Sequence, residues 1–271
     1  MAETRIGGKS VPFVGQGTYG YGGYFDREFQ SLENHVQSLR YGISLGMTLI
    51  DTAEIYASGK AEEIVGNAVS GSDRENIFLA TKVWRNHMDY DGVISSCKKS
   101  IARMNVKSID LYQIHWPDEN SPMNETLRAF EKLVDDGLVE NIGVSNFSVS
   151  DLKKAMDALS RHEIKSNQMR YSLDYRKIES QVLPFCRENK ISVIAYSPLG
   201  TGDIFHGRKA KLLSELGAKY NKSGAQIALN WIVSKGVIAI PKAFRREHIE
   251  ENSKASDFKL SESDIEYLER A

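Results

Sequence analysis

Short apolar runs alternate with stretches of helical period along nearly the whole chain, and no other feature narrows the possible folds as much. Runs at residues 13–18, Met47–Asp51, Ile77–Thr81, Ile109–Ile114, Asn141–Val144, Lys165–Met169, Ser192–Tyr196 and Val237–Ile240 have strand length. Between them, apolar residues recur at helical spacing: Leu32, Val36, Leu39 and Ile43; Ile64, Val65, Ala68 and Val69; Val93, Ile94, Cys97, Ile101 and Met104; Leu127, Phe130 and Val134. Further periods lie at Leu152, Met156 and Leu159, at Ile178, Val182 and Phe185, at Ile227, Trp231 and Ile232, around Ile249, and at Ile265–Leu268. Pro184 should bend or shorten its helix. Strands separated by helices demand a parallel sheet with right-handed crossovers. Eight such units in 271 residues predict an α/β fold, a closed (β/α)8 TIM barrel in a single domain spanning 1–271. A doubly wound open sheet is the rival.

Local signals mark the element ends. Gly46, Gly137 and Gly236 stop helices, and Ser148-x-x-Asp151 and Ser223-x-x-Gln226 read as capping boxes. Ser121-Pro122 predicts a cap followed by proline at the first helical position. Gly7-Gly8 suggests a short N-terminal hairpin ahead of the first unit, and a short tail follows the last. The loop 198–207 is longer than usual for such a connection. Met104, Met123, Met156 and Met169 lie on apolar faces and read as core.

Composition excludes several classes of function. Lys plus Arg number 35 against 36 Asp plus Glu, so the chain carries no electrostatic footprint for nucleic acid. Two cysteines, Cys97 and Cys186, stand far apart with no metal-ligand spacing, which indicates neither a disulfide framework nor a bound metal. No apolar stretch approaches a membrane span, and the opening Met-Ala-Glu-Thr-Arg lacks a signal-peptide core. A cytoplasmic protein is expected. Gly15-Gln-Gly17-Thr-Tyr-Gly20 matches G-x-G-x-x-G literally. The following Tyr21-Gly-Gly-Tyr-Phe is no amphipathic helix, and no acidic residue closes a second strand at the expected distance. A strand ending in a glycine- and tyrosine-rich loop is the better reading.

Three strand-like runs end in ionisable groups, namely Asp51, Lys82 and His115, and Tyr56 follows Asp51 within one loop. In barrels and open α/β sheets, catalytic residues gather beyond the carboxyl ends of strands. Further along the same rim come Ser145 and Asn146, Gln168, Tyr196 and Ser197, and Lys242. Singly, each has an ordinary role: a turn aspartate, a solvated lysine, a surface tyrosine, a packing histidine. Their repeated placement at strand ends favours a site. A free phenol titrates near ten, and an adjacent ammonium held by a carboxylate would favour its ionised form. Asp51, Lys82 and Tyr56, with His115 to orient a carbonyl, form an acid/base group for carbonyl–alcohol interconversion.

The chain closely resembles the aldo-keto reductase superfamily from about Phe13 to Leu268. The motifs are Gly15-Gln-Gly17-Thr, Ile50-Asp51-Thr-Ala-Glu-Ile-Tyr56, Ala80-Thr-Lys82-Val-Trp84, Asp110-Leu-Tyr-Gln-Ile-His115-Trp, Ile142-Gly-Val-Ser-Asn146-Phe, Asn167-Gln168, Ala195-Tyr-Ser-Pro-Leu-Gly200 and Ile240-Pro-Lys242. The resemblance implies a (β/α)8 barrel that binds NADPH or NADP+ extended, without a Rossmann fold, and reduces a small-molecule aldehyde or ketone. Tyr56 then resembles the proton donor, Lys82 and Asp51 its supports, and His115 the residue that orients the carbonyl. Ser145, Asn146 and Gln168 resemble the partners of the nicotinamide amide, and Tyr196 the ring stacked on it. Gly17, Thr18 and Asp51 would line the ribose, and Ser197 and Leu199 the pyrophosphate loop. Lys242 would lie near the adenosine 2′-phosphate, and Glu251 and Asn252 near the adenine.

The chain departs from the family pattern after Lys242. Ala243 stands where a small hydroxyl residue is frequent, and His248 where many members carry a phosphate-gripping arginine. Histidine is a weaker, pH-dependent cation. With Arg245 or Arg246 compensating, preference for NADPH is expected, with NADH use open. The chain ends at Ala271, after the last helical period and without the long C-terminal loop of many members. An open pocket bordered by Trp84, Trp116 and Tyr24 is therefore expected, in a monomer or weak homo-oligomer that binds neither nucleic acid nor membrane. Two other readings stay open: a non-catalytic cofactor-binding regulatory subunit, and a Schiff-base lyase using Lys82 as nucleophile.

Overall fold

The computed structural model describes residues 1–23, 31–118 and 122–270. The chain begins with a hairpin, β1 (Glu3–Ile6) and β2 (Lys9–Pro12), paired antiparallel with Ile6 opposite Lys9. Eight strands follow: β3 (Gln16–Gly17), β4 (Leu49–Asp51), β5 (Phe78–Val83), β6 (Ile109–Ile114), β7 (Val139–Ser145), β8 (Ile164–Arg170), β9 (Ser192–Tyr196) and β10 (Ile238–Ala239). They form one sheet in chain order, and every pairing is parallel. The ends of this sheet meet. Val14 bridges Ala239, Gly15 N donates to Ala239 O at 2.8 Å, and Gly17 N donates to Pro241 O at 3.1 Å. The barrel is closed, and the open-sheet rival is set aside.

Helices fill the crossovers: α1 (Leu32–Ser44), α2 (Lys60–Val69), α3 (Tyr90–Met104), α4 (Met123–Asp135), α5 (Val149–Ala158), α6 (Val182–Glu188), α7 (Gly207–Tyr220), α8 (Gly224–Ser234), α9 (Arg246–Ser253) and α10 (Glu262–Glu269). Both predicted capping boxes are present, at Ser148 and Ser223. Two expectations change, and one helix was not anticipated. Pro122 occupies the N-cap of α4 and not its first turn, and Ser121 lies outside the described residues. Helix α7 carries no prominent start signal, because His206 at its N-cap makes no side-chain hydrogen bond to the helix. Met156 is exposed on α5, whereas Met104 is buried. Met123 and Met169 are partly buried against the core.

Strand residues alternate between two apolar clusters, as the two-residue strand period requires. Ile50, Leu79, Tyr112, Val193 and Ala239 face the helices. Leu49, Phe78, Ala80, Leu111, Ile194 and Ile238 face the barrel axis, where Ile6 and Val11 of the hairpin join them. The hairpin thus plugs the amino-terminal end of the barrel. Lys9 Nζ donates to the buried Asp110 at 2.5 Å, which ties the plug to β6. Gly15 and Gly17 serve closure: a Cβ on Gly15 would lie 2.7 Å from Leu49 O, and one on Gly17 2.7 Å from Ile240 O. The glycine motif therefore has a packing reason, in keeping with the rejection of a Rossmann turn.

The hairpin turn tests the plug. Gly7 has φ +59°, and a Cβ there would meet Asn141 Oδ1 at 2.0 Å, while nothing lies within 4 Å of one on Gly8. Gly7→Ala should cost about 1–3 kcal/mol through strain and displacement of the plug. Thermal unfolding followed by circular dichroism should show Tm lowered by roughly 5 °C, with Gly8→Ala within about 1 °C of the parent.

Candidate active site

The inward series of three strands change from apolar to polar as they approach the carboxyl end, and that of β8 is polar in both layers. Leu49 is followed by Asp51, Phe78 and Ala80 by Lys82, Leu111 by Gln113 and His115, and Ser166 by Gln168. The two-residue period delivers these side chains to one rim. Lys82 is 0% exposed and Asp51 2%. An ammonium at that depth is stable only when paired and fully hydrogen-bonded. Its Nζ donates to Asp51 Oδ2 at 2.6 Å, to Thr52 O at 2.8 Å, and to the Tyr56 hydroxyl at 3.4 Å. Burial pushes the Lys82 ammonium below the ordinary lysine range, and the Asp51 charge and hydrogen bond oppose that shift.

Asp51 is held from several sides. Its Oδ1 accepts from Gln168 Nε2 at 2.6 Å and from Gln113 Nε2 at 3.4 Å. Thr18 donates both its N–H and its hydroxyl to Asp51 O, at 3.0 and 2.9 Å. The amide bonds join β6 and β8 to the carboxylate, and the Thr18 bonds tie the end of β3 to the main chain of Asp51.

Tyr56 is half-buried and faces His115, with ring centroids 5.7 Å apart and nearly perpendicular. Trp84 packs edge-on against the other neighbour of this group, 5.2 Å from the His115 ring. His115 is 8% exposed, and its Nδ1 has no hydrogen-bond partner. Burial first, and the Lys82 charge second, push its pKa down to about 3. The imidazole is therefore neutral at ordinary pH, with one N–H and one lone pair. Ala57, Ser58 and Gly59, directly after Tyr56, all have φ between 46° and 93°. This tight left-handed turn redirects the chain from the Tyr56 loop into α2.

A second group of polar residues continues around the rim. Ser145 Oγ donates to Gln168 O at 2.9 Å, and Asn146 Nδ2 donates to His115 O at 3.1 Å. The Tyr196 hydroxyl donates to Asn146 Oδ1 at 2.9 Å. Asn146 and Ser197 both have left-handed backbones, with φ of 65° and 48°. Asparagine tolerates that conformation better than most residues, and it turns the backbone just beyond the strand end. Leu199 is half-buried and precedes the tight turn 200–202.

Beyond β10 the chain is tied to α1. The Tyr21 hydroxyl donates to Ala243 O at 2.9 Å, and Ser38 Oγ donates to Phe244 O at 3.0 Å. Phe244 packs on Tyr21 and His35, and the Lys242 ammonium lies 4.8 Å from the Phe244 ring. Arg245 caps α9 and His248 is exposed on it. The Arg246 guanidinium lies 4.0 Å from the Tyr41 ring. Asn252 is buried, and Glu251 O accepts from Gln226 Nε2 at 3.1 Å, anchoring α9 on α8.

Asp51, Tyr56, Lys82, Trp84 and His115 thus come together, and Ser145, Asn146, Gln168 and Tyr196 form a linked group beside them. Trp116 is exposed after β6. Tyr24 lies outside the described residues. The sequence reading missed three neighbours. Tyr19 packs edge-on against Tyr56 with centroids 5.2 Å apart. Glu54 Oε1 accepts from Trp84 N at 2.5 Å and contacts His87 Nδ1 at 3.0 Å, joining the Tyr56 and Trp84 loops. Gln113 was legible as an amide inside an apolar strand, two residues before His115 and therefore on the same face.

The aldo/keto reductase family profile matches residues 14–271. Methylglyoxal reductase YeaE of Escherichia coli is 37% identical over 268 residues, covering 98% of this chain and 92% of that protein. Glyoxal reductase of Bacillus subtilis is 33% identical over 264 residues, covering 97% and 89%. Among solved structures, a thermostable aldo-keto reductase in complex with epalrestat superposes with a TM-score of 0.94 at 37% identity, over 100% of this chain and 99% of that one. An aldo/keto reductase from Klebsiella pneumoniae, in complex with NADP and acetate, gives 0.86 at 35% identity over 96% and 91%. With the closed barrel and the motif-bearing strand ends in place, the chain belongs to the aldo/keto reductase family.

Proposed function

We propose that this protein reduces aldehydes or ketones to alcohols with NADPH, and that small dicarbonyls of the kind named for its relatives are among its substrates. The observation that carries this reading is the buried Lys82 ammonium, held by Asp51 and reaching the Tyr56 hydroxyl beside a neutral His115. Bound NADPH supplies a hydride to the carbonyl carbon. Tyr56 gives its proton to the oxygen as negative charge develops there, and the ammonium stabilises the phenolate left behind. The neutral imidazole of His115 supplies an N–H donor for the same oxygen. A cationic His115 would compete with Tyr56 as acid, and burial beside Lys82 prevents it.

The residues present suit the cofactor. Ser145, Asn146 and Gln168 offer amide and hydroxyl groups to the nicotinamide carboxamide, and Tyr196 offers a ring fixed by its bond to Asn146. Gly17, Thr18 and Asp51 border the ribose, and Ser197 and Leu199 the pyrophosphate. Lys242, Arg245 and His248 supply cations for a 2′-phosphate, with Glu251 and Asn252 near the adenine. Trp84 and Trp116 would border the substrate. Use of Lys82 as a Schiff-base nucleophile is disfavoured, since its Nζ is committed to three partners.

NADPH oxidation against aldehydes, ketones, sugars and dicarbonyls tests the activity, and a protein that binds NADPH but oxidises none of it would be a regulatory subunit. Tyr56→Phe and Lys82→Met should each lower kcat by about 10²–10⁴-fold while NADPH still binds. Fluorescence titration should give a Kd for NADPH at least about tenfold below that for NADH, a difference of about 1.4 kcal/mol. Lys242→Met should erase most of that gap and leave NADH unchanged; tighter NADH binding by the parent would overturn the cofactor assignment.

His115 should show no titration between pH 5 and 8 in NMR spectra of the folded protein. The unfolded chain takes up this proton below about pH 6.5, and the folded protein only near 3. The residue therefore lowers stability as pH falls through that window, with no effect above it. His115→Asn should make denaturant-measured stability less acid-sensitive there.

A further inference from the structure

We propose that Gln113 is a positioning residue for this reduction: with Gln168 it clamps Asp51 Oδ1, and so keeps the carboxylate seated on Lys82. The inference rests on the reading of Tyr56, Lys82 and Asp51 given above. Gln113 is fully buried on β6, between the apolar Leu111 below and His115 above on the inward face. An amide at such depth is costly unless its groups are hydrogen-bonded. Its Oε1 has no partner, and its Nε2 donates to Asp51 Oδ1 at 3.4 Å. That contact is the one that offsets burial of the amide.

The surroundings make room for it. A Cβ on Gly143 of the neighbouring strand would lie 2.9 Å from Gln113 Cγ and 2.5 Å from Ser166 Oγ. Glycine at that position lets the Gln113 side chain lie across the barrel toward β4. Asp51 then has its two oxygens divided, Oδ2 to Lys82 and Oδ1 to the two amides. Gln168 sits at the strand end, where the proposed nicotinamide carboxamide also draws on it. Gln113 lies one layer deeper and has Asp51 alone to serve. The charged or titratable groups around this carboxylate are Lys82, Tyr56 and His115 on the rim, with Glu62 behind the Lys82 strand.

Donors to a carboxylate hold it in place, and a seated Asp51 favours the Lys82 ammonium on which Tyr56 depends. Loss of one donor therefore acts on turnover more than on cofactor binding. In Gln113→Leu, kcat for NADPH-dependent carbonyl reduction should fall about tenfold at neutral pH. The Kd for NADPH should stay within about twofold of the parent, so that the loss falls on kcat. Gln113→Glu keeps the shape but replaces a donor with an acid. It should approach parental kcat at the acid end and lose activity as pH rises, because two carboxylates cannot both ionise there.

Parental kcat and pH profile in both variants would overturn the inference. So would equal losses at every pH accompanied by weaker NADPH binding, which mark a packing role. If Gln113→Leu does not fold, the isosteric Gln113→Glu decides alone through the shape of its profile. A parent protein that fails to oxidise NADPH with any carbonyl would instead sink the functional reading itself.

Discussion

The ion pair between Lys82 and Asp51 is the constraint on which the rest of the site depends. Neither group is accessible to water, and an ammonium and a carboxylate at that depth contribute little net stability, because desolvation offsets most of their attraction. An apolar pair of equal volume would fold as well. Breaking the pair by removing one partner would leave an uncompensated buried charge, so each group makes the other obligatory. The surrounding bonds from Gln113 and Gln168 to the Asp51 carboxylate, and from Lys82 to Thr52 O, are what the desolvated pair requires. Because those amides come from β6 and β8, satisfying one carboxylate also ties β4 to two strands across the barrel's upper layer. Tyr56 is then the one partner of Lys82 on the open side.

How much of this was legible from residues alone follows from which physical rule governs each feature. Strand positions came through because a period of two and a period of 3.6 differ strongly, and β6 and β9 have the limits expected from their apolar runs. The same period placed Asp51, Lys82, His115 and Gln168 on one face. Features that depend on tertiary contacts were hidden. Helix α7 starts without a side-chain cap, so its onset has no local signature. Met156 sits on the apolar stripe of α5 yet lies at its edge, where helical period alone does not separate the core from the rim. Pro122 could sit at the cap or one residue inside, since both positions tolerate a missing N–H. The left-handed turns at Asn146, Ser197 and 57–59 depend on where the rim must turn, and no residue pattern states that.

Two buried aspartates on the barrel, Asp110 and Asp51, stand in opposite settings. Asp110, at the amino-terminal end, accepts from Lys9 Nζ, Arg74 Nη2 and Leu79 N at 2.5, 2.6 and 2.8 Å. Its cations are side chains that reach outward to solvent, Arg74 also donates to Ile77 O and Ser108 O, and the plug covers the carboxylate. Every bond there ends on groups that hold the fold. Asp51 accepts as many donors, but its ammonium is buried and leads on to a phenol at the rim. The two ends of a (β/α)8 barrel have the same strands and the same polar chemistry available. What separates them is cover: at the amino-terminal end the hairpin closes the axis, whereas at the carboxyl end the buried Lys82 and Asp51 lead to the half-buried Tyr56. Under the proposed reduction Tyr56 is the proton donor, and the Lys82 ammonium that would meet the charge left behind is already held in place by Asp51.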